Sequence, residues 1–436
     1  MAKEIEFDPD LECAITLADF VSYAPSRGYI FIPTREIWPG ASVNSRVPRV
    51  DELKKEISAT GWLDKNRSVE QMTWAPGMQM LIRDFLVADG GWIERKGVTC
   101  FNLYRPPTII RGTARNAQRW IEHVNKIYPV DATHIVQWLA HRVQKPQEKI
   151  NHALVLGGSQ GIGKDSLLEP VKRAIGPWNF QEASPQQLLG RFNGFLKSVI
   201  LRVSEARDLG DINRYQFYDH MKSYLAAPPD TLRIDEKNLR EYSIINCVGV
   251  IITTNHKADG IYLPADDRRH FVAWSDRSKE DFPTGYWNDL WSWYDNGGDR
   301  HVAAFLAEFD LKAFDPKAPP PKTPAFWEVV DANRAPEDAE LADALDELAN
   351  PAAVTLQMVE GNTTSAAFLD WIKDRRNRRS LPYRFERCGY QPIRNDTAKD
   401  GLWKIRGKRQ VIYARITLST AEQLKAARAL VKGDPE

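Results

Sequence analysis

The chain has 436 residues, a net charge of +1 and 43% hydrophobic residues, enough for two to four domains with packed cores. No stretch is apolar for long enough to cross a bilayer, and the charged start Met1-Ala-Lys-Glu-Ile-Glu-Phe-Asp lacks a signal-peptide core, so membrane and secretory classes are set aside. Cys13, Cys100, Cys247 and Cys388 stand far apart with no C-x-x-C pair, which argues against a zinc knuckle or a disulfide scaffold and for a reducing cytoplasm.

Residues 1–112 mix helical and extended patterns and are expected to form an α+β region. Gly28 to Pro33 reads as a short strand. Residues 78–87 form an apolar segment closing at Gly90-Gly91, followed by one strand near Trp92-Ile93 and another at Cys100 to Tyr104. Arg105-Pro106-Pro107 ends the extended run, because proline cannot donate to a ladder. From Ala114 to about Gln144 the apolar period is helical, with Trp120, Val124, Ile127, Ile135, Trp138 and Leu139 on the inner side. The core is expected over 113–312, this helical segment followed by alternating strands and helices of a mostly parallel sheet.

The most informative feature begins where the apolar run Ala153 to Leu156 breaks into Gly157-Gly-Ser-Gln-Gly-Ile-Gly-Lys-Asp-Ser166. Gly158 to Lys164 matches the P-loop pattern, but Asp165 stands where a hydroxyl is usual and the hydroxyl comes one residue later, at Ser166. In such a turn the backbone amides of Gly158, Ser159, Gln160, Gly161, Ile162 and Gly163 converge on a helix N-terminus and favour phosphate. Lys164 adds a mobile cation; a purely structural turn would leave it without a role. Leu167, Leu168, Val171 and Ile175 continue as an amphipathic helix.

Phosphate chemistry next requires an acid at a neighbouring strand end. Lys197 to Val203 supplies an apolar strand, and Ser204-Glu205 follows it, with Glu205 lying 41 residues after Lys164. Glu205 is the expected base, with magnesium resting on Asp165, Ser166 or Asp208 and also near Glu205. A second strand, Val248 to Thr254, ends in Asn255, suited to contact a γ-phosphate and orient water. Between the two, Leu232 to Tyr242 reads as a hairpin whose Lys237, Arg240 and Tyr242 suit single-stranded nucleic acid, or else packing between subunits. Lys222 is a further basic candidate. Asp266-Asp267-Arg268-Arg269 precedes another strand; either arginine could reach a neighbouring subunit's nucleotide, or pair internally with the aspartates.

Phe314 to Pro324 is proline-rich and reads as a stiff linker, and the acidic Ala/Leu-rich stretch after it, through 362, as a solvated helical face. The segment 363–436 is basic. From Trp371 to Glu436 there are 17 Lys and Arg against 7 Asp and Glu, a balance of +10 that leaves −9 for the rest of the chain. Its helices and a hairpin turning at Gly407-Lys408 suggest a winged-helix-like DNA-binding module, with Lys408 and Arg409 at the tip meeting phosphate.

This order of P-loop, strand-end Glu, basic hairpin, strand-end Asn and Asp-Arg-Arg resembles the superfamily 3 helicases, in particular the phage and plasmid primase-helicase type. The resemblance runs from about Gly90 to Trp403 and is carried by Gly157 to Ser166, Ser204 to Asp208, Ile234 to Lys237, Thr253 to His256 and Asp266 to Arg269. It implies a P-loop NTPase core of the AAA+-like α/β class, ATP and Mg2+ as cofactors, a hexameric ring and translocation on single-stranded DNA. Duplex contact through the C-terminal module is a second DNA mode. Asp165 and Ser204 depart from the family pattern and put metal ligation in doubt. No Asp-x-Asp pair on a strand marks a primase in the first hundred residues, so a separate primase or polymerase is the expected partner, in a bacterial or phage-infected cytoplasm. An ATP-switched origin-binding initiator or loader is the alternative, and a small-molecule kinase would leave the hairpin, Asp-Arg-Arg and basic tail unexplained.

Overall fold

The apolar runs of the central segment form the strands that the sequence implied. In the computed structural model, which describes residues 15–52, 55–204, 214–257, 261–332, 336–374, 377–378 and 381–432, five strands pair entirely in parallel. Across the sheet they run Phe180–Ala183, Ile200–Val203, Gly249–Thr254, Ala153–Gly158 and His270–Ser275. Leu154, Val155, Leu156, Leu201, Ile251 and Val272 are at most 1% exposed, as strands of a parallel sheet covered on both faces should be. The strand 249–254, late in the chain, lies between the P-loop strand and the strand 200–203. Parallel pairing brings their carboxyl ends to one edge, where open α/β sheets bind ligands.

The expected helical segment before the sheet is two helices, Gln118–Ile127 and Ala132–Gln144, and Trp120, Ile135, Trp138 and Leu139 are fully buried. Together with Asp299–Glu308 they pack around the helix Lys164–Ile175. Arg142 is also fully buried, and its guanidinium donates to the Cys247 carbonyl at 2.7 Å and to the carbonyls of Lys145 and Glu148. It therefore joins the helix to the loop before the strand 249–254 through carbonyl oxygens, with no ion pair within 4 Å among the described residues.

The N-terminal part is α+β. One sheet has the order Glu36–Pro39, Gly28–Phe31, Phe20–Tyr23, Ser68–Val69; another places Gln71–Thr73 beside a long hairpin, Leu81–Ala88 with Gly91–Asn102. The two separate strands expected after Gly90-Gly91 are one strand of 12 residues. Its pairing with Leu81–Ala88 shifts register between Arg83 and Phe85, where residues 95–98 of the long strand are surplus, Asp84 takes φ 64° and the Asp84 carboxylate accepts from the Gly97 amide at 2.8 Å. The proline-rich stretch 314–324 is docked rather than free: the Pro316 carbonyl accepts from the Asn151 amide and Thr323 donates to the Val272 carbonyl. The first compact unit ends at Ala332, with the helix Pro324–Ala332 inside it.

The second unit, Asn333–Glu436, has its own core. A three-stranded antiparallel sheet (Ala353–Thr355, Ile412–Arg415, Tyr390–Ile393) packs with helices, and Phe385 stacks on Tyr413 at 3.8 Å. The acidic stretch forms the helix Pro336–Glu347 inside this unit, its Leu341 and Leu345 buried. Asp338, only 5% exposed, receives Arg384 and, at 2.7 Å, Arg387. The expected hairpin is Trp403–Ile405 with Lys408–Gln410, turning at Arg406-Gly407, one residue earlier than the sequence suggested. Positive φ at both residues, 48° and 72°, explains the position, since a tight two-residue hairpin turn requires it.

Buried histidines set an acid limit on the first unit. His134 and His152 meet at 3.0 Å between their Nε2 atoms, and His134 stacks on Phe271. Burial lowers His134 to a pKa of about 4 and His152 to about 3, and the neighbouring His134 lowers His152 further. Both rings are neutral when folded, whereas the unfolded chain protonates near pH 6.5. Their stabilisation is thus complete above 6.5 and is lost as pH falls from there toward 3–4. The melting temperature should drop between pH 7.5 and 5, and His152→Gln should shrink that drop; an equal drop in the variant would refute the assignment.

Candidate nucleotide-binding site

The P-loop turn exists because its glycines adopt backbone angles closed to other residues. Gly158, Gly161 and Gly163 have φ of 137°, 93° at Gly163 and 83° at Gly161. Between them the Ile162 side chain is fully buried and pins the loop, so only its backbone faces the turn. Several aromatic groups hold the surrounding carbonyls: Tyr128 donates to Gly157 at 3.1 Å, Tyr294 to Ser166 at 2.9 Å and the Trp120 indole to Leu167 at 2.9 Å. His123 bridges the Gly163 carbonyl (3.2 Å) and the Tyr286 hydroxyl (2.8 Å). Burial pushes its pKa down to about 4, so it is neutral.

Lys164, 8% exposed, directs its ammonium to three oxygens: the Gly158 carbonyl at 2.7 Å, the Ser159 carbonyl at 2.9 Å and Asn255 Oδ1 at 2.8 Å. The structure thus brings together the P-loop lysine and the strand-end asparagine that the sequence singled out 91 residues apart. Burial lowers the lysine pKa to about 8; Asp165 opposes that shift and Arg202 adds to it. Asp165 is turned to Arg202, which also lies 3.7 Å from Glu182 and near the Thr253 hydroxyl. Arg202 sits within an apolar strand, and a lone arginine in such a run is the one local sign of its place at this site. Among the described residues no cluster of three or more His, Cys, Asp or Glu could hold a metal by itself. Glu205 and Asp208 lie outside the described residues.

These groups line a cleft of about 420 Å³, within the usual range for small-ligand sites. Gln160, Gly161, Asp165, Ser166 and Thr253 border it, and so do two residues the sequence reading did not single out, Trp287 and Trp291. They stand four apart on the helix Tyr286–Trp293, hence on one face, and Trp291 is 38% exposed. Their aromatic character resembled ordinary core; only the fold brings them to the P-loop.

The Asp-Arg-Arg loop does not border this cleft in its own chain. Asp267 is 4% exposed and accepts from Tyr218 (2.8 Å), His270 (3.1 Å) and the Arg269 amide (2.9 Å). Burial alone would raise its pKa, but the His270 ring and these hydrogen bonds outweigh that and hold it at about 2. Among the described residues neither arginine side chain forms an ion pair with Asp266 or Asp267: Asp267 fixes the loop backbone, Arg268 is exposed and Arg269 half-buried. In the hairpin Thr231–Ile234/Tyr242–Ile245, Lys237 and Arg240 are exposed at the tip. Tyr242 is only 5% exposed and donates to Glu236 at 2.7 Å, so it braces the hairpin and has no open face for a base. Lys222 pairs with Asp219. In the second unit Lys408 is exposed and Arg409 pairs with Asp400 at 2.7 Å.

Residues 156–269 match a family of unknown function (DUF5906), about a quarter of the chain. No curated protein matches in sequence. Among solved structures, the apo C-terminal region (305–718) of NrS-1 superposes with a TM-score of 0.57 at 15% identity, covering 89% of this chain and 93% of that one. Its A form gives the same values. A JCV helicase reaches only 0.32 at 9% identity over 55% of this chain and 67% of that one, too slight a likeness to bear weight. The chain therefore shares the fold of the NrS-1 C-terminal region.

A β-carbon at Gly163 would lie 2.6 Å from Trp287 and 2.7 Å from the His123 ring, at a φ of +93°. Gly163→Ala should therefore distort the loop and weaken nucleotide binding about tenfold or more, consistent with strain of about 1–3 kcal/mol. Titration with a fluorescent ATP analogue measures this, and unchanged affinity would refute the reading of the turn.

Proposed function

We propose that this chain is an ATP-driven DNA helicase or translocase of the superfamily 3 type, working as a homo-oligomeric, hexameric ring on single-stranded DNA. Its setting would be replication of a phage, plasmid or related mobile element in a bacterial cytoplasm, with a separate primase or polymerase as partner. The observation that carries this reading is the Lys164–Asn255 hydrogen bond at the head of the P-loop, which joins phosphate cradle and strand-end sensor at one point.

In this reading the P-loop amides from Gly158 to Gly163 receive the phosphates, and Lys164 leaves its carbonyl partners for the outer phosphate. Asn255, released from the ammonium, orients the attacking water. Glu205 accepts the water proton as the new P–O bond forms and the bond to the β-phosphate oxygen breaks. Arg268 or Arg269, absent from its own chain's cleft, stabilises the developing charge on a neighbour's nucleotide. Magnesium needs only one or two protein ligands when phosphates and water complete its shell, so the Asp165 carboxylate, the Ser166 hydroxyl and Glu205 suffice as a donor set. It would neutralise phosphate charge there. Asp165 must first exchange its Arg202 partner. Trp287 and Trp291 offer apolar surface for the base.

Lys237 and Arg240 on the hairpin are proposed to follow the DNA strand. The unit 363–436 is proposed as a winged-helix-like module whose Lys408 and Arg409 meet phosphate. The proposed domain plan is an α+β region to 112, a core over 113–312, a segment over 313–362 that is divided between the two compact units at Ala332, and the basic module. A second reading, an ATP-switched origin-binding initiator or loader, is favoured by the exposed basic hairpin of that module.

Lys164→Ala should abolish ATP binding, while Glu205→Gln should bind ATP with turnover reduced at least about 100-fold. Preserved steady-state hydrolysis in the Glu205→Gln protein would overturn its role as base. On forked DNA, the wild-type protein should displace a strand only with hydrolysable ATP. Sequence-specific duplex binding without displacement would instead establish the initiator.

A further inference from the structure

A second cleft of the first unit is separate from the P-loop. It measures about 1400 Å³ and lies between the N-terminal sheets, the start of the strand Phe180–Ala183 and the tip of the basic hairpin. That exceeds the roughly 300–1,000 Å³ of typical small-molecule sites, so the volume suits a segment of polymer.

Its charges are not balanced. Arg27, Arg35, Arg105 and Lys237 border it, and none of the four forms an ion pair among the described residues. Of the acids there, Glu236 is taken by Lys197 at 2.7 Å and Glu182 by Arg202, which leaves Glu36 as the unpaired carboxylate. Arg35 and Arg105 are the telling pair. Arg35 lies over the Phe101 ring at 5.1 Å, its Nη1 rests on the Met80 sulfur and its Nε is buried with no partner. Arg105 lies 4.8 Å over Trp178 and, among the described residues, its guanidinium donates only to the Pro33 carbonyl, at 3.3 Å. Burial and the nearby Arg105 both disfavour the charge on Arg35. Two guanidinium groups held close on aromatic faces, without a carboxylate, are costly unless an anion joins them. Trp38 and Trp178 are both partly exposed on the same walls and offer ring surface to unstacked bases.

We propose that this cleft is a single-stranded DNA binding site, in which Arg35 and Arg105 hold backbone phosphates and the tip of the 231–245 hairpin forms one wall. The proposal deepens the helicase reading and rests on it. The strand would meet Lys237 on that wall, which places the hairpin beside a fixed phosphate clamp. Glu182 links the two sites: it borders this cleft and also lies against Arg202, the partner of Asp165 at the P-loop.

The test is fluorescence anisotropy of a labelled oligo-dT strand with the full chain across a salt series. Arg35→Ala with Arg105→Ala should weaken binding about tenfold and reduce the salt slope by about 1.4, two contacts at roughly 0.7 each. Lys312→Ala, an exposed cation outside the cleft, should change neither. Wild-type binding with unaltered affinity and slope in the double variant would overturn the clamp and leave the helicase reading standing. Absence of any wild-type binding would overturn both. If the double variant fails to fold by circular dichroism, 5-iodouracil crosslinking of the unmodified protein decides the matter. Crosslinks at Trp38, Trp178 or residues 236–239 support the site, and crosslinks confined to residues 353–432 overturn it.

Discussion

The Lys164 ammonium, buried at the carboxyl edge of the parallel sheet, is the constraint around which the first unit is arranged. A cation that is 8% exposed must find oxygen partners, and it finds two from its own loop and one from Asn255. Those partners coincide only because the strand 249–254 lies directly beside the P-loop strand. The sheet order, the glycine turn and the aromatic groups that hold its carbonyls all serve that one meeting point. Its lowered pKa records the desolvation involved.

A second theme is how the chain handles arginines in poorly solvated places. Arg142 is surrounded by carbonyls and acts as a structural rivet. Arg384 and Arg387 converge on Asp338 and close the second unit's core. Arg202 carries a real counter-charge, Asp165, beside the nucleotide cleft. Arg35 and Arg105 have neither a carboxylate nor a full set of acceptors. The same side chain is thus structural where partners are complete and available to a ligand where they are not.

The candidate site was legible where chemistry is local. The glycine spacing, the lysine and the apolar strands before Ser204 and Asn255 are properties of short windows, and the parallel sheet follows from alternating apolar strands and helices. Trp287, Trp291 and Arg202 were not legible, because an aromatic helix face and one arginine in a strand look the same in a core as in a cleft. Tyr242 was read as an open aromatic and is buried, since its neighbour Glu236 captures the hydroxyl. The single long strand Gly91–Asn102 and the docked prolines of 314–324 likewise depended on partners distant in sequence.

By itself, then, the sequence determined which segments could turn around a phosphate, which could be buried as strands and where positive charge accumulates. These follow from backbone angles, side-chain polarity and spacing within a few residues. Tertiary structure alone decided that Lys164 meets Asn255, that Asp165 faces Arg202, that Asp267 fixes the loop carrying Arg268 and that two arginines share one cleft. Each of those, in Asp267's case through Tyr218, depends on a contact between segments tens of residues apart, set by strand order and by the need of buried charges for partners, and none is written in any local pattern.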